Sequence, residues 1–113
     1  MSEYLKIEWS AIAANDLIGI ADYLIAAESV EISNLVCQRI LDRIDTLASL
    51  PWRGRTIPEV RELSMKEFRE IIVPPYRILY KIQKNKVSVI GVMDGRRNLR
   101  DTITERVLIA PEE

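Results

Sequence analysis

The residues of this chain that can do chemistry gather in its second half. Arg69, Arg77 and Lys81 fall within alternating apolar stretches, and the run "VSVIGVM" leads into Asp94, Gly95, Arg96 and Arg97. Arginine stays protonated near neutral pH and presents a planar fork of donors, so it recognises carboxylates and phosphates and does not act as an ordinary general base. Gly95 frees the backbone beside the pair, and Arg96 and Arg97 are expected to hold a protein partner. The competing reading is a solvated strand end or an ion pair to Asp94 or Asp101. Tyr76 and Tyr80 share a strand face with Ile78 and Ile82, which makes them packing residues first and partner or nucleotide contacts second.

Proton carriers and soft-metal ligands are scarce. The chain has no histidine and a single cysteine, which excludes histidine-dependent triads, a zinc set and an intramolecular disulfide. Cys37, within "NLVCQRI", is expected as a small buried hydrophobe on an amphipathic helix. No catalytic residue, cofactor or metal site is expected.

The elements that must position these groups follow from hydrophobic period. "YLKIEWS" alternates as a strand. Ser10 can cap a helix in which Ala13, Leu17, Ile20, Ala21, Leu24 and Ile25 form one apolar face. A second helix begins after Ser29, carries Ile32, Val36, Ile40, Ile44 and Leu47, and stops before Pro51. "LPWRGRTIPEV" reads as a connecting loop with Arg53 and Arg55 fixing its carbonyls and Trp52 covering the end of the helical hairpin. "FREIIV", "YRILYKI" and "VSVIGVM" are three strands, the last two joined through "QKNK" with Asn85 available for a positive φ. A short C-terminal helix opening at Asn98 would turn Leu99, Ile103, Val107 and Leu108 inward. The class expected is α+β and two-layer: strand, helix, helix, strand, strand, strand, with the helical hairpin packed on a mainly antiparallel four-stranded sheet.

At 113 residues, 48% of them hydrophobic and 29% charged, the chain suits one globular domain over residues 1–113. No apolar run approaches the roughly 18 residues of a membrane span, and "MSEYLKIEWS" lacks the pattern of a signal peptide, so a cytoplasmic location is expected. The net charge of −1 conceals an asymmetry: residues 1–50 carry three basic and eight acidic side chains, and residues 51–113 carry thirteen and nine. An anionic partner would dock on the second half.

"DLIGIADYL", "LASLPWRGRTIPEV", "REIIVPPYRILYKI" and "VIGVMDGRR", in that order and spacing, resemble the ParE branch of the RelE/ParE superfamily of bacterial toxin–antitoxin toxins, over nearly the whole chain. The resemblance implies a toxin of a type II, plasmid-stabilisation system that poisons DNA gyrase, is neutralised by a ParD-like antitoxin wrapped around it, and binds no specific nucleic acid directly. RelE-like relatives share the fold but cut messenger RNA on the ribosome. A third possibility is a non-toxic corepressor that keeps the fold and only binds an antitoxin.

Cleavage of RNA through the ribose 2′-hydroxyl needs a group to take that proton, an acid for the leaving oxygen and cations for the phosphate. The cations are partly present, but there is no histidine and no tyrosine after Tyr80. Glu67 or Glu70 could in principle serve as the base, but nothing in the sequence points to a raised pKa. Residues therefore favour the non-catalytic gyrase inhibitor, with Arg69, Arg77, Tyr80, Gly95, Arg96 and Arg97 as contacts to antitoxin or target. Asp94 stands where the family commonly has histidine, and beside the arginines it can neutralise one of them.

Overall fold

A computed structural model describes residues 4–111. The chain runs through β1 (Lys6–Trp9), α1 (Ala11–Ala27), α2 (Val30–Asp45), 3-10 turns at Thr46–Ala48 and Pro51–Arg53, β2 (Arg55–Thr56), a 3-10 segment Pro58–Leu63, β3 (Phe68–Val73), β4 (Tyr76–Ile82), β5 (Lys86–Asp94) and α3 (Arg100–Leu108). Both long helices start where a serine can satisfy an orphan amide. Ser10 Oγ accepts from Ala13 N–H at 3.1 Å and Ser29 Oγ from Ile32 N–H at 3.0 Å. The Ser33 hydroxyl then donates to the Ala21 carbonyl at 3.0 Å, fastening α2 to α1.

The sheet is ordered β1-β5-β4-β3-β2. β1 lies parallel to β5, and every other pair is antiparallel. The helical hairpin supplies the long return that a parallel neighbour requires. Its buried residues Ala13, Ile40 and Ile44 pack with Leu47 on Ile71, Val73, Tyr76, Ile78, Tyr80, Val87, Val89 and Val92. The opposite sheet face is covered as well: Leu79, Ile90, Met93 and Phe68 meet Ile57 and Val60 of the 3-10 region and Ile103 and Val107 of α3. A register shift changes which residues of β5 face each cluster. Leu79 faces Gly91 while Tyr80 faces Val89, so Ile90 is an extra residue and the inward alternation changes phase there.

The α+β class and the hairpin-on-sheet arrangement agree with the expectation, but there are five strands, because Arg55–Thr56 pairs with Glu70 and Arg69 inside the expected loop. Leu47 is fully buried from a 3-10 turn just after α2, not from the helix itself. Leu99, not Asn98, precedes the first turn of α3, and Leu108 points to solvent with 67% exposure. Ile25 and Ile32 are also exposed. The Gln83–Lys86 turn closes by an N–H···O=C bond of 2.8 Å without a positive φ at Asn85; among described residues that conformation belongs to Ser64.

Candidate partner-binding site

The six residues expected to contact a partner divide into two sets, Arg69, Arg77 and Tyr80 tied up inside the fold, and Gly95, Arg96 and Arg97 at the end of β5. Arg77 is committed internally: its Nη1 and Nη2 donate to Glu59 at 2.8 and 2.7 Å and its Nε to Glu70 at 2.7 Å. The Glu70 carboxylate is fully enclosed and takes a second donor from Arg55 Nε at 2.6 Å. Two guanidinium partners satisfy that buried charge, which would otherwise be prohibitively costly. The Glu59 carboxyl is held below its ordinary pKa by the Arg77 fork, against the opposing pull of burial. Tyr80 is fully buried; its hydroxyl donates to Pro51 O at 2.8 Å and accepts from Gly54 N–H at 3.0 Å. Burial raises its pKa. A Cβ on Gly54 would collide with that hydroxyl and with the Glu70 carbonyl, so glycine is required for the approach. Arg69 donates to the Lys66 and Gly54 carbonyls and lies 4.8 Å from the Trp52 ring centre. Arg69, Arg77 and Tyr80 thus hold the "PWRGR" segment in place. Arg55 does anchor the segment as expected, whereas Trp52 is 53% exposed.

Gly95, Arg96 and Arg97 lie at the other edge, by a groove of about 710 Å³ between α1, the end of β5 and the start of α3. Its origin is a mismatch in strand length. β1 ends at Trp9, opposite Val89, where the chain turns into α1, while β5 runs on to Asp94. The uncovered edge is partly filled by side chains. Arg106 donates to both oxygens of Asp16 at 2.7 and 2.8 Å and to the Ile90 carbonyl at 2.8 Å, while Asp16 accepts from Val92 N–H at 3.0 Å. Gly91 leaves room for this crossing, since a Cβ there would sit 3.0 Å from Arg106 Nη1.

Beyond the ion pair the edge is open. Gly95 N–H bonds to Pro75 O at 2.8 Å, and with Asp94 facing Tyr76 and Val92 facing Ile78 the antiparallel alternation turns the Val92 carbonyl and the Asp94 amide toward the groove. Gly95 has no positive φ; its smallness matters because a Cβ would press on Arg77 Cγ and Pro75 O, each 3.0 Å away. Arg96 closes back on Asp94 through Nε at 2.9 Å and Nη2 at 2.6 Å, and this pairing pulls the Asp94 carboxyl down to about 2. Arg97 lines the groove and, among the described residues, makes no side-chain hydrogen bond or ion pair. Tyr76, buried and raised in pKa by that burial, and the exposed Tyr23 form aromatic walls.

Asp16 and Arg106 escaped the sequence reading. Their signal was one charge beside each apolar helical stripe, Asp16 next to Leu17 and Arg106 next to Val107, and nothing in sequence joined positions 90 residues apart. The groove offers backbone hydrogen bonds, a guanidinium without an ion pair among the described residues, and aromatic surface, which is chemistry suited to peptide capture. Glu70, one of two bases weighed for RNA cleavage, is sealed between Arg55 and Arg77.

These features define a small α+β domain with an open groove beside its longest strand. The family model described as ParE toxin of type II toxin-antitoxin system, parDE, matches residues 7–99. The chain belongs to that family. Among solved structures it is similar to one titled as the chromosomal ParDE TA system from P. aeruginosa, with a TM-score of 0.66 and 16% identity, covering 82% of this chain and 98% of the other. That likeness is one of fold. No curated protein matches the chain. Among the described residues no helix is long and apolar enough to cross a membrane.

Proposed function

We propose that this toxin-family chain inhibits DNA gyrase by binding, without catalytic residues of its own, and is neutralised by a ParD-like antitoxin in a hetero-oligomer in the cytoplasm. The observation that carries the antitoxin reading is the open edge of β5 beside the unpaired Arg97. An extended, acidic antitoxin segment would find backbone partners at Val92 and Asp94 and a cation at Arg97. The helix preceding such a segment has a surface ready for it: α1 is apolar on nearly every side, with Ile18 and Ile25 exposed, and Leu35 of α2 is exposed as well. A helix of that kind is usually covered.

The test is supercoiling of relaxed plasmid by gyrase against a titration of the purified protein, with cleaved DNA scored on the same gel. Inhibition accompanied by trapped cleavage is expected. No effect at large excess would remove gyrase as the target, and loss of messenger RNA after induced expression would then assign the chain to the RelE-like chemistry.

A further inference from the structure

The sheet edge opposite the groove carries a second surface that the antitoxin reading does not use. Around Gly54 stand Trp52, Arg53, Arg55, Lys66 and Arg69. In residues 51–70, Glu59 and Glu70 are paired with Arg77 and Arg55, leaving Glu62 and Glu67 against Arg53, Arg61, Lys66 and Arg69. The patch is positive on a chain whose net charge is −1.

Its arginines are also fixed in place. Arg53 Nη1 donates to Thr46 Oγ1 at 2.9 Å, and Arg55 uses Nε on Glu70 while 59% of its side chain remains exposed. Arg69 uses Nε and Nη1 on the Lys66 and Gly54 carbonyls. Each guanidinium is anchored by one part of its fork and keeps other N–H donors for a ligand, so little side-chain entropy is lost on binding. Arg69 lies over Trp52, which stays half exposed.

We propose that this edge binds single-stranded nucleic acid without reading its sequence, with phosphates on Arg53, Arg55 and Lys66 and a base stacked at Trp52. Anchored forks around an exposed aromatic ring match the combination that single-strand binders use. An acidic peptide would engage the forks and leave the indole without a planar partner. Because the site lies across the sheet from the groove, an antitoxin held there leaves it open.

The test is fluorescence anisotropy of a labelled oligothymidylate of about 12 nucleotides, a length within single-strand site sizes, titrated with the full chain at several salt concentrations. With about three phosphates engaged, log K falls against log salt with a slope of about −2. Arg53→Ala with Lys66→Ala is expected to weaken binding at least about tenfold and flatten that slope by about one to one and a half. Oligonucleotide should quench the wild-type tryptophan emission, and the quenching should vanish in Trp52→Phe, a variant that removes no buried group. Absence of binding at low salt, unchanged binding by the double variant, or quenching retained in Trp52→Phe would each overturn the proposal. So would polyglutamate of equal length binding as tightly as the oligonucleotide, which would mark the patch as a site for acidic protein.

Discussion

Arg96 and Arg97 are adjacent in sequence and opposite in state. Arg96 bends back two residues onto Asp94, forming an exposed local pair, while Arg97 faces the groove unpaired. The local pair answers the question raised by an aspartate before the two arginines: it neutralises the first and leaves the second. Arg96→Ala combined with Arg97→Ala is therefore expected to weaken antitoxin binding, by an amount set mainly by Arg97, and to leave the melting temperature nearly unchanged, as for other surface substitutions. Binding titration beside a thermal melt checks this. A large fall in melting temperature with binding intact would make the pair structural. Arg69, Arg77 and Tyr80 show the reverse lesson. Sequence places them correctly on strands, but only the fold brings Glu59, Glu70, Gly54 and Pro51 up to them.

At the scale of elements, the decisive feature is that β5 is longer than its parallel neighbour. β1 has to stop because the next residues form the capped start of α1, and the backbone of β5 past Val89 is then left to other partners. Asp16 and Arg106 substitute for a strand at Ile90 and Val92 and at the same time tie α1 to α3. Asp16→Ala would strip Arg106, only 7% exposed, of its counter-charge and leave Val92 N–H without an acceptor. The expected cost is about 3 kcal/mol, large against the 5–15 kcal/mol typical of a whole domain. Asp16→Asn, which keeps one acceptor oxygen, should cost less. Urea denaturation measures both, and a loss below about 1 kcal/mol for the alanine variant would show that solvent already screens the pair.

For the whole molecule, charge is sorted by region: an acidic helical hairpin, a positive edge at "PWRGR" and a buried ion network between sheet and 3-10 segment. The groups with shifted carboxyl pKa fix the acid behaviour. Glu59 is lowered by Arg77 in a mostly buried pair, whereas the Asp94 carboxyl, pulled down to about 2 by Arg96, sits in an exposed pair that solvent screens and so weighs little in stability. Depressed carboxyls bind protons less well folded than unfolded, so their contribution is complete above roughly pH 4.5 and disappears as pH falls through the folded values. With no histidine in the chain, stability should stay nearly flat between about pH 5 and 7.5 and drop steeply below about pH 4. Melting temperature across this range tests it. Glu59→Gln should soften the acid limb, and a transition centred near pH 6 would show that another group controls it.

The sequence by itself determined the helices, their serine caps, the three long strands and the RelE/ParE-like order, because those depend on period, on capping chemistry and on proline, all of which act within a few residues. It also located the arginines on the strands and just after the last of them. Tertiary structure decided which of them are free. Arg77 and Arg97 have the same fork and the same intrinsic charge, and what separates them is whether distant carboxylates arrive within hydrogen-bond reach. The fifth strand, the phase change at Ile90 and the Asp16–Arg106 bridge were hidden for the same reason. Each depends on how separate strands and helices meet, and its strength comes from burial and geometry that no local pattern encodes.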